Sequence, residues 1–265
     1  MNIADVRDPA TTRGLLPSLE QVRTLAWNPD VAKKRGIYGF DSRDIRSRPF
    51  NLIRSRLLKL YRSRGWRLFG IVSATPGVGK SFIATNLAAA LSRTPGLQTY
   101  LIDLDLRRGS VSRNFGYPLD TGVRQFLEGD LASLKDVAFR LADERLVVVP
   151  SDRSRAHSAE ILSNERMSLL AEAMRTAPKD HLFICDLPPV FANDDASIVV
   201  SMLDGYIMIV EDGQTTKKQI TESVSILERS RCAGVVLNHF DGGLFRDTLG
   251  YSYGGGNRAY GEYFE

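Results

Sequence analysis

Six short apolar runs, separated by helical stretches, constrain the fold more tightly than any other feature of the chain. They are LFGIVS from Leu68, TYLID from Thr99, LVVVP from Leu146, LFICD from Leu182, GYIMIVE from Gly205 and AGVVLN from Ala233. Most are unbroken and rich in Val, Ile and Leu, as strands buried on both faces must be; a strand with one wet face would alternate. The gaps are long enough for the crossover helices that parallel neighbours require. The pattern predicts an α/β fold: a doubly wound, mostly parallel sheet with helices on both faces. Ligands of such a sheet bind at the carboxyl ends of its strands.

At 265 residues the chain fits one such domain with appendages. We expect a partly ordered basic arm over residues 1–45, with turns near Pro17 and Asn28-Pro29, a domain over 46–240 and a flexible tail over 241–265. Apolar residues recur at helical spacing from Phe50 through Ile53, Leu57 and Leu60, with Arg54, Arg56, Lys59 and Arg62 supplying charge elsewhere. This is a basic amphipathic helix, and Gly65 ends it. From Asp241 the apolar pattern dissolves into a Gly-rich segment that cannot order itself by burial. That segment carries four tyrosines, Tyr251, Tyr253, Tyr260 and Tyr263.

The net charge of +4 is unevenly spread. Residues 1–67 hold 15 Lys/Arg against 6 Asp/Glu, which leaves 20 against 25 for the remainder. A basic arm on an acidic body is either a solvated basic face packed on the domain edge or a surface for an anionic contact: the acidic face of a second copy, lipid headgroups or nucleic acid. No DNA-reading motif accompanies the arm, so nucleic acid is the least favoured of the three. No apolar run approaches the roughly 20 residues that cross a bilayer, so a soluble, intracellular chain is expected. Cys185 and Cys232 lie in or beside apolar runs and read as buried thiols rather than a disulfide. His157, His181 and His239 are spaced as no metal motif is.

Directly after the first run comes SATPGVGKSFIATNLAAALS, Ser73 to Ser92. Gly77, Val78 and Gly79 let main-chain amides turn inward around an anion, and the helix that follows aims its positive end at the same point. Lys80 can reach β and γ phosphates, and the Ser81 hydroxyl can bind Mg²⁺. Thr75 and Phe82 complete the candidate nucleotide contacts. Ala74 stands where the strict pattern has its first glycine. Two further motifs end apolar runs in carboxylates: LIDLDLRRG places Asp103 and Asp105 two apart, and LFICDLPP ends its strand in Asp186, the position of an aspartate that holds Mg²⁺. Three carboxylates beside one lysine repel unless a cation sits among them, so Mg²⁺ is the expected cofactor beside ATP.

From about Phe50 to its end the chain resembles the bacterial tyrosine kinases (BY-kinases) of capsular and exopolysaccharide synthesis, P-loop relatives of the ParA/MinD ATPases. The likeness rests on the P-loop Ala74 to Ser81, DxDxR at Asp103, Asp105 and Arg107, DxPP at Asp186 to Pro189, and the terminal tyrosines. Weaker echoes are RNFG at Arg113, AEILSNERM at Ala159, DDA at Asp194, DGQTT at Asp212 and GVVLN at Gly234. The resemblance implies that Lys80 and Ser81 bind phosphates and Mg²⁺, that Asp186 helps hold the metal, and that Asp103 and Asp105 orient the attacking tyrosine and the metal. It places Asn238 near the adenine. It implies a transmembrane chain-length regulator as activating partner, which would hold the chain at the inner membrane from the cytoplasm. The family's ExxRxxR association motif survives here only as Arg54, with Arg48 and Asn51 at its other positions, and RAHS, Arg155 to Ser158, replaces a proline-rich loop.

The implied reaction moves the γ-phosphoryl of ATP to a tyrosine hydroxyl of the tail, on a neighbouring copy. An unperturbed Asp lies about 6 pKa units below Tyr, roughly 8 kcal/mol uphill for full proton removal, so Asp103 should orient first and take the proton late. Four phosphotyrosines would add roughly −6 to −8 charge and so switch assembly. The alternative is a ParA/MinD-type ATPase switch for positioning or partitioning. Those proteins carry a signature lysine in KGGxGK[ST] where this chain has Thr75.

Overall fold

The computed structural model describes residues 12, 14–117, 119–142, 144–152 and 158–240. The tail and its four tyrosines lie outside the described residues. Among those described, the strands are β1 (Arg23–Leu25), β2 (Leu68–Ser73), β3 (Gln98–Asp103), β4 (Phe139–Leu141), β5 (Leu146–Val149), β6 (His181–Asp186), β7 (Gly205–Glu211) and β8 (Cys232–Asn238). They form one sheet in the order β1-β4-β5-β3-β6-β2-β7-β8. The six predicted strands pair in parallel, while β4 runs antiparallel to β5, and β1 pairs in parallel with β4. The helices are α1 (Pro29–Lys34), α2 (Arg48–Arg64), α3 (Lys80–Ser92), α4 (Val111–Asn114), α5 (Val123–Glu128), α6 (Ser158–Leu162), α7 (Glu165–Thr176), α8 (Asp195–Ser201) and α9 (Lys217–Ile226).

The central strands divide their side chains between two cores with the period of two that a pleated strand imposes. Tyr100, Ile102, Val147, Val149, Phe183 and Cys185 face one side, with Leu170, Met174 and Val199 of α7 and α8. Leu101, Val148, Leu182 and Ile184 face the other, with Phe50 and Leu57 of α2 and the alanine-rich α3. From Ile83 to Ser92 every residue of α3 is buried. Small side chains suit that position because sheet, α2 and arm all approach the same helix.

The amphipathic helix forms as the spacing predicts and ends at Gly65, whose left-handed φ of 68° lets its N–H reach Tyr61 O at 3.0 Å. The arm holds more structure than turns. Asn28 accepts hydrogen bonds from the N–H groups of Asp30 (2.9 Å) and Val31 (3.3 Å), and Pro29 opens α1, so the Asn28-Pro29 pair starts a helix where the sequence implied a turn. β1 adds a strand to the sheet edge. Asn86 of α3 accepts from the N–H of Tyr38 (2.7 Å) and Gly39 (3.0 Å) and donates to Gly36 O (2.9 Å), tying the arm to the helix. A Cβ at Gly39 would lie 2.1 Å from Asn86 O, so two backbones meet there with no room for a side chain. The expected division at residue 46 is thus crossed by contacts. Cys185 is buried, Cys232 half-buried, and both are free thiols.

Candidate nucleotide site

The P-loop links β2 to α3. The Ser73 hydroxyl donates to Thr75 O at 2.7 Å and turns the chain at the strand end. Gly77 (φ 90°) and Gly79 (φ 91°) then take left-handed conformations, as an inward nest of amides demands. Asn238, at the end of β8, closes the loop from behind by donating to Val78 O at 2.9 Å. A Cβ on Gly79 would lie 2.3 Å from the Asn238 amide nitrogen, so loop and strand end are fitted to each other. The Phe82 ring packs edge-on against Tyr38 and Phe50. What Phe82 can offer a nucleotide is therefore its main chain.

The strand order brings the remaining residues together. β3 and β6 are neighbours with Asp103 and Asp186 in register, and β2, which feeds the P-loop, lies on the other side of β6. Lys80 is buried at 5% exposure, and burial lowers its pKa. The charges of Asp186 and then Asp105 oppose that shift. Asp103 is wholly buried, and its two oxygens accept the N–H groups of Asp105 (3.2 Å) and Val111 (3.1 Å). Burial, reinforced by Asp186, pushes its carboxyl well above the usual range. Asp105, 3% exposed, accepts the N–H of Arg108 at 3.2 Å, and burial raises its pKa against the pull of Lys80.

Asp186 differs from both. Its two oxygens are buried without a hydrogen-bond partner among the described residues. Burial pushes its carboxyl up to about 7, against the opposing pull of Lys80 and Ser81; Ser81 stands close enough to favour the ionised form without completing a hydrogen bond. A buried polar oxygen without a partner costs about 1–3 kcal/mol, more if charged. Such atoms mark a place for a missing ligand. A hard cation among carboxylate and hydroxyl oxygens is the ligand this donor set fits, so Asp186, Ser81 and Asp105 would hold Mg²⁺. Ser110 donates to the Ser81 hydroxyl at 2.7 Å, and Asn114 reaches Ser81 O (3.3 Å) and Thr85 Oγ1 (3.2 Å), so α4 and the turn before it brace the start of α3.

Taken together, a left-handed glycine loop at a helix start, a buried lysine and a strand-end carboxylate without partners are the parts of a nucleotide-triphosphate site. The family model for the CobQ/CobB/MinD/ParA nucleotide binding domain (CbiA) matches residues 69–249. The chain belongs to this nucleotide-binding family. Within it the chain is similar to the putative tyrosine-protein kinase EpsB of Ralstonia nicotianae, 31% identical over 204 residues, which cover 76% of this chain and 27% of EpsB. It is also similar to the tyrosine-protein kinase CpsD of Streptococcus agalactiae, 29% identical over 192 residues, covering 71% of this chain and 81% of CpsD. Among solved structures, the VpsO kinase domain superposes with a TM-score of 0.64 at 25% identity, over 74% of this chain and 97% of that one. The chain thus spans about a quarter of the length of EpsB.

Sequence reasoning passed over Ser110, Asn114 and Ser158 as site residues, and recorded Asp195 only as part of the DDA echo. None carries a short-range signal of its role; each meets its partner through topology.

Proposed function

We propose that the chain is an ATP-dependent protein tyrosine kinase. It transfers the γ-phosphoryl of Mg-ATP to tyrosine hydroxyls, with Tyr251, Tyr253, Tyr260 and Tyr263 of its own kind as acceptors. The observation that supports this reading is the convergence of Lys80, at the start of α3, with Asp103, Asp105 and Asp186, at or just beyond the ends of the adjacent β3 and β6, in a fold whose curated relatives bear tyrosine-kinase names.

When bound, Mg²⁺ would neutralise charge between the β and γ phosphates. The chain's own groups do the rest. Amides of Gly77 to Ser81 cradle phosphate oxygens, Lys80 offsets charge as the bridging bond loosens, and Asp186, Ser81 and Asp105 would hold the cation. Asp103 accepts the tyrosine hydroxyl and orients it, on a lone pair left free beside the N–H groups of Asp105 and Val111. Asn238 borders the loop on the side proposed for adenine.

The reading extends to regulation of exopolysaccharide or capsule synthesis and export, with two partners: a transmembrane chain-length regulator that activates the kinase, and a second copy phosphorylated in trans. Among the described residues no helix is long and apolar enough to cross a membrane, so attachment to the inner membrane is assigned to that regulator. The test is to incubate the purified chain with Mg-ATP and map phosphotyrosine by mass spectrometry, with Lys80→Met as control. Phosphate on tail tyrosines of the wild type alone is expected. ATP hydrolysis that leaves every tyrosine unmodified, even with an activator supplied, would favour a ParA/MinD-type switch.

A further inference from the structure

One buried carboxylate near the site has no part in the scheme above. Asp195, at the start of α8, is 1% exposed, yet it accepts three hydrogen bonds from three different connections of the fold. Arg107 Nε donates to its Oδ2 at 3.1 Å, from the turn after β3. The Ser158 hydroxyl donates to the same oxygen at 2.7 Å, from the start of α6, and Asn193 Nδ2 donates to Oδ1 at 3.1 Å, from the β6–α8 connection. Arg107 Nε also reaches Ser158 Oγ at 2.8 Å, which closes a triangle.

The turn that Arg107 leaves is held on its other sides too. Asp103 Oδ1 fixes its first residue through the N–H of Asp105, and Gly109 ends it against Ser151 O and Asp152 O, where a Cβ would come within 2.5 and 2.7 Å. Asp105 sits inside this clamp and Ser110, which bonds Ser81, just beyond it. Asp195 supplies the outward anchor, and without its carboxylate the Arg107 side chain keeps, among the described residues, a neutral hydroxyl as hydrogen-bond partner.

We infer that Asp195 is a positioning residue for phosphoryl transfer, acting through Arg107 to hold the turn that carries Asp105 in its working place. This rests on the kinase reading above. Misplacing a catalytic group by about 1 Å costs about 100-fold in rate. A loosened turn should therefore lower turnover without emptying the P-loop.

The experiment uses the full chain with Asp195→Asn, Arg107→Gln and the double variant. Steady-state phosphorylation, binding of a fluorescent ATP analogue with Mg²⁺, and hydrogen exchange of the amides of residues 104–109 are measured for each. Each single variant should lose about 10- to 100-fold in kcat with ATP-analogue affinity within about threefold of wild type, and the double should be no worse than the poorer single. Arg107→Lys, which keeps the charge but not the planar donor, should recover part of the loss. Faster exchange at residues 104–109 should accompany each loss. Unchanged kcat in both singles, additive losses in the double, or losses matched by equal falls in affinity would overturn the proposal. Arg107 is 40% exposed, so its variants fold and report even if Asp195→Asn does not. Should the wild type modify no tyrosine, the kinase reading fails alone. Exchange at residues 104–109 then decides the anchoring: faster in Arg107→Gln supports it, unchanged rejects it.

Discussion

The ends of β3 and β6 carry two aspartates, each closing an apolar run and facing the other across the two strands. Asp103 and Asp186 are register partners, both wholly buried, both with pKa values raised by burial. Asp103 accepts two main-chain N–H groups and so stitches its strand to the following turn. Asp186 accepts none. A paired buried carboxylate contributes to the fold it sits in, whereas an unpaired one destabilises that fold and persists because something else binds to it. The pair separates an aspartate that shapes the site from one that is left open for a ligand.

Asp186→Asn gives the largest expected break in this comparison. Phosphoryl transfer should fall by about 1,000-fold with the cation site disabled. The ligand-free melting temperature should nonetheless rise by about 3 °C or more, as a neutral amide replaces an unsatisfied buried carboxylate. A lower melting temperature would remove the distinction. Asp103→Asn should act in the opposite sense on stability. One amide oxygen cannot serve both N–H groups equally, so scanning calorimetry should show a fall of about 1.5–3 kcal/mol. Nucleotide binding should persist while transfer drops about 100-fold; unchanged autophosphorylation would remove Asp103 from the mechanism.

Proton linkage gives a second measure of what burial costs Asp186. The Asp186 carboxyl has a folded pKa of about 7 against an ordinary 3.8, so between those values the folded state binds more protons than the unfolded one. Stability of the ligand-free chain therefore falls as pH rises through that window. The stability gained by Asp186→Asn, read from urea midpoints, should be larger at pH 8 than at pH 5. The smallest effect expected is for Asn238→Ala: loss of its bond to Val78 O should cost about 1 kcal/mol in stability and weaken ATP only a few-fold.

Legibility from sequence followed run length. The six apolar runs became strands because each is long enough to declare burial on both faces. The three-residue β1 and β4, RTL and FRL, carry no period to read, and their place at the sheet edge depends on neighbours already being there. The P-loop, the DxDxR aspartates and Asp186 were legible because phosphate chemistry demands fixed short spacings. Arg107 and Asp195 lie 88 residues apart, and Ser110 and Ser81 lie 29 apart, so their contacts exist only once the strand order is known. Phe82 shows the reverse limit: adjacency to Ser81 says that its main chain borders the phosphate loop, but nothing about a ring that turns toward Tyr38 and Phe50.

The close meeting of Gly39 with Asn86 bears on grafting between relatives. The match to the nucleotide-binding family model begins at residue 69, yet the flank of the phosphate-binding helix is closed by residues 36–40 and by α2, all upstream. A transplant cut at the first recognisable strand would carry the motif and leave Ala88, Ala89 and Ala90 facing water. The smallest portable piece of this molecule is therefore longer than the stretch the family model matches, and hybrids should be joined ahead of Gly36.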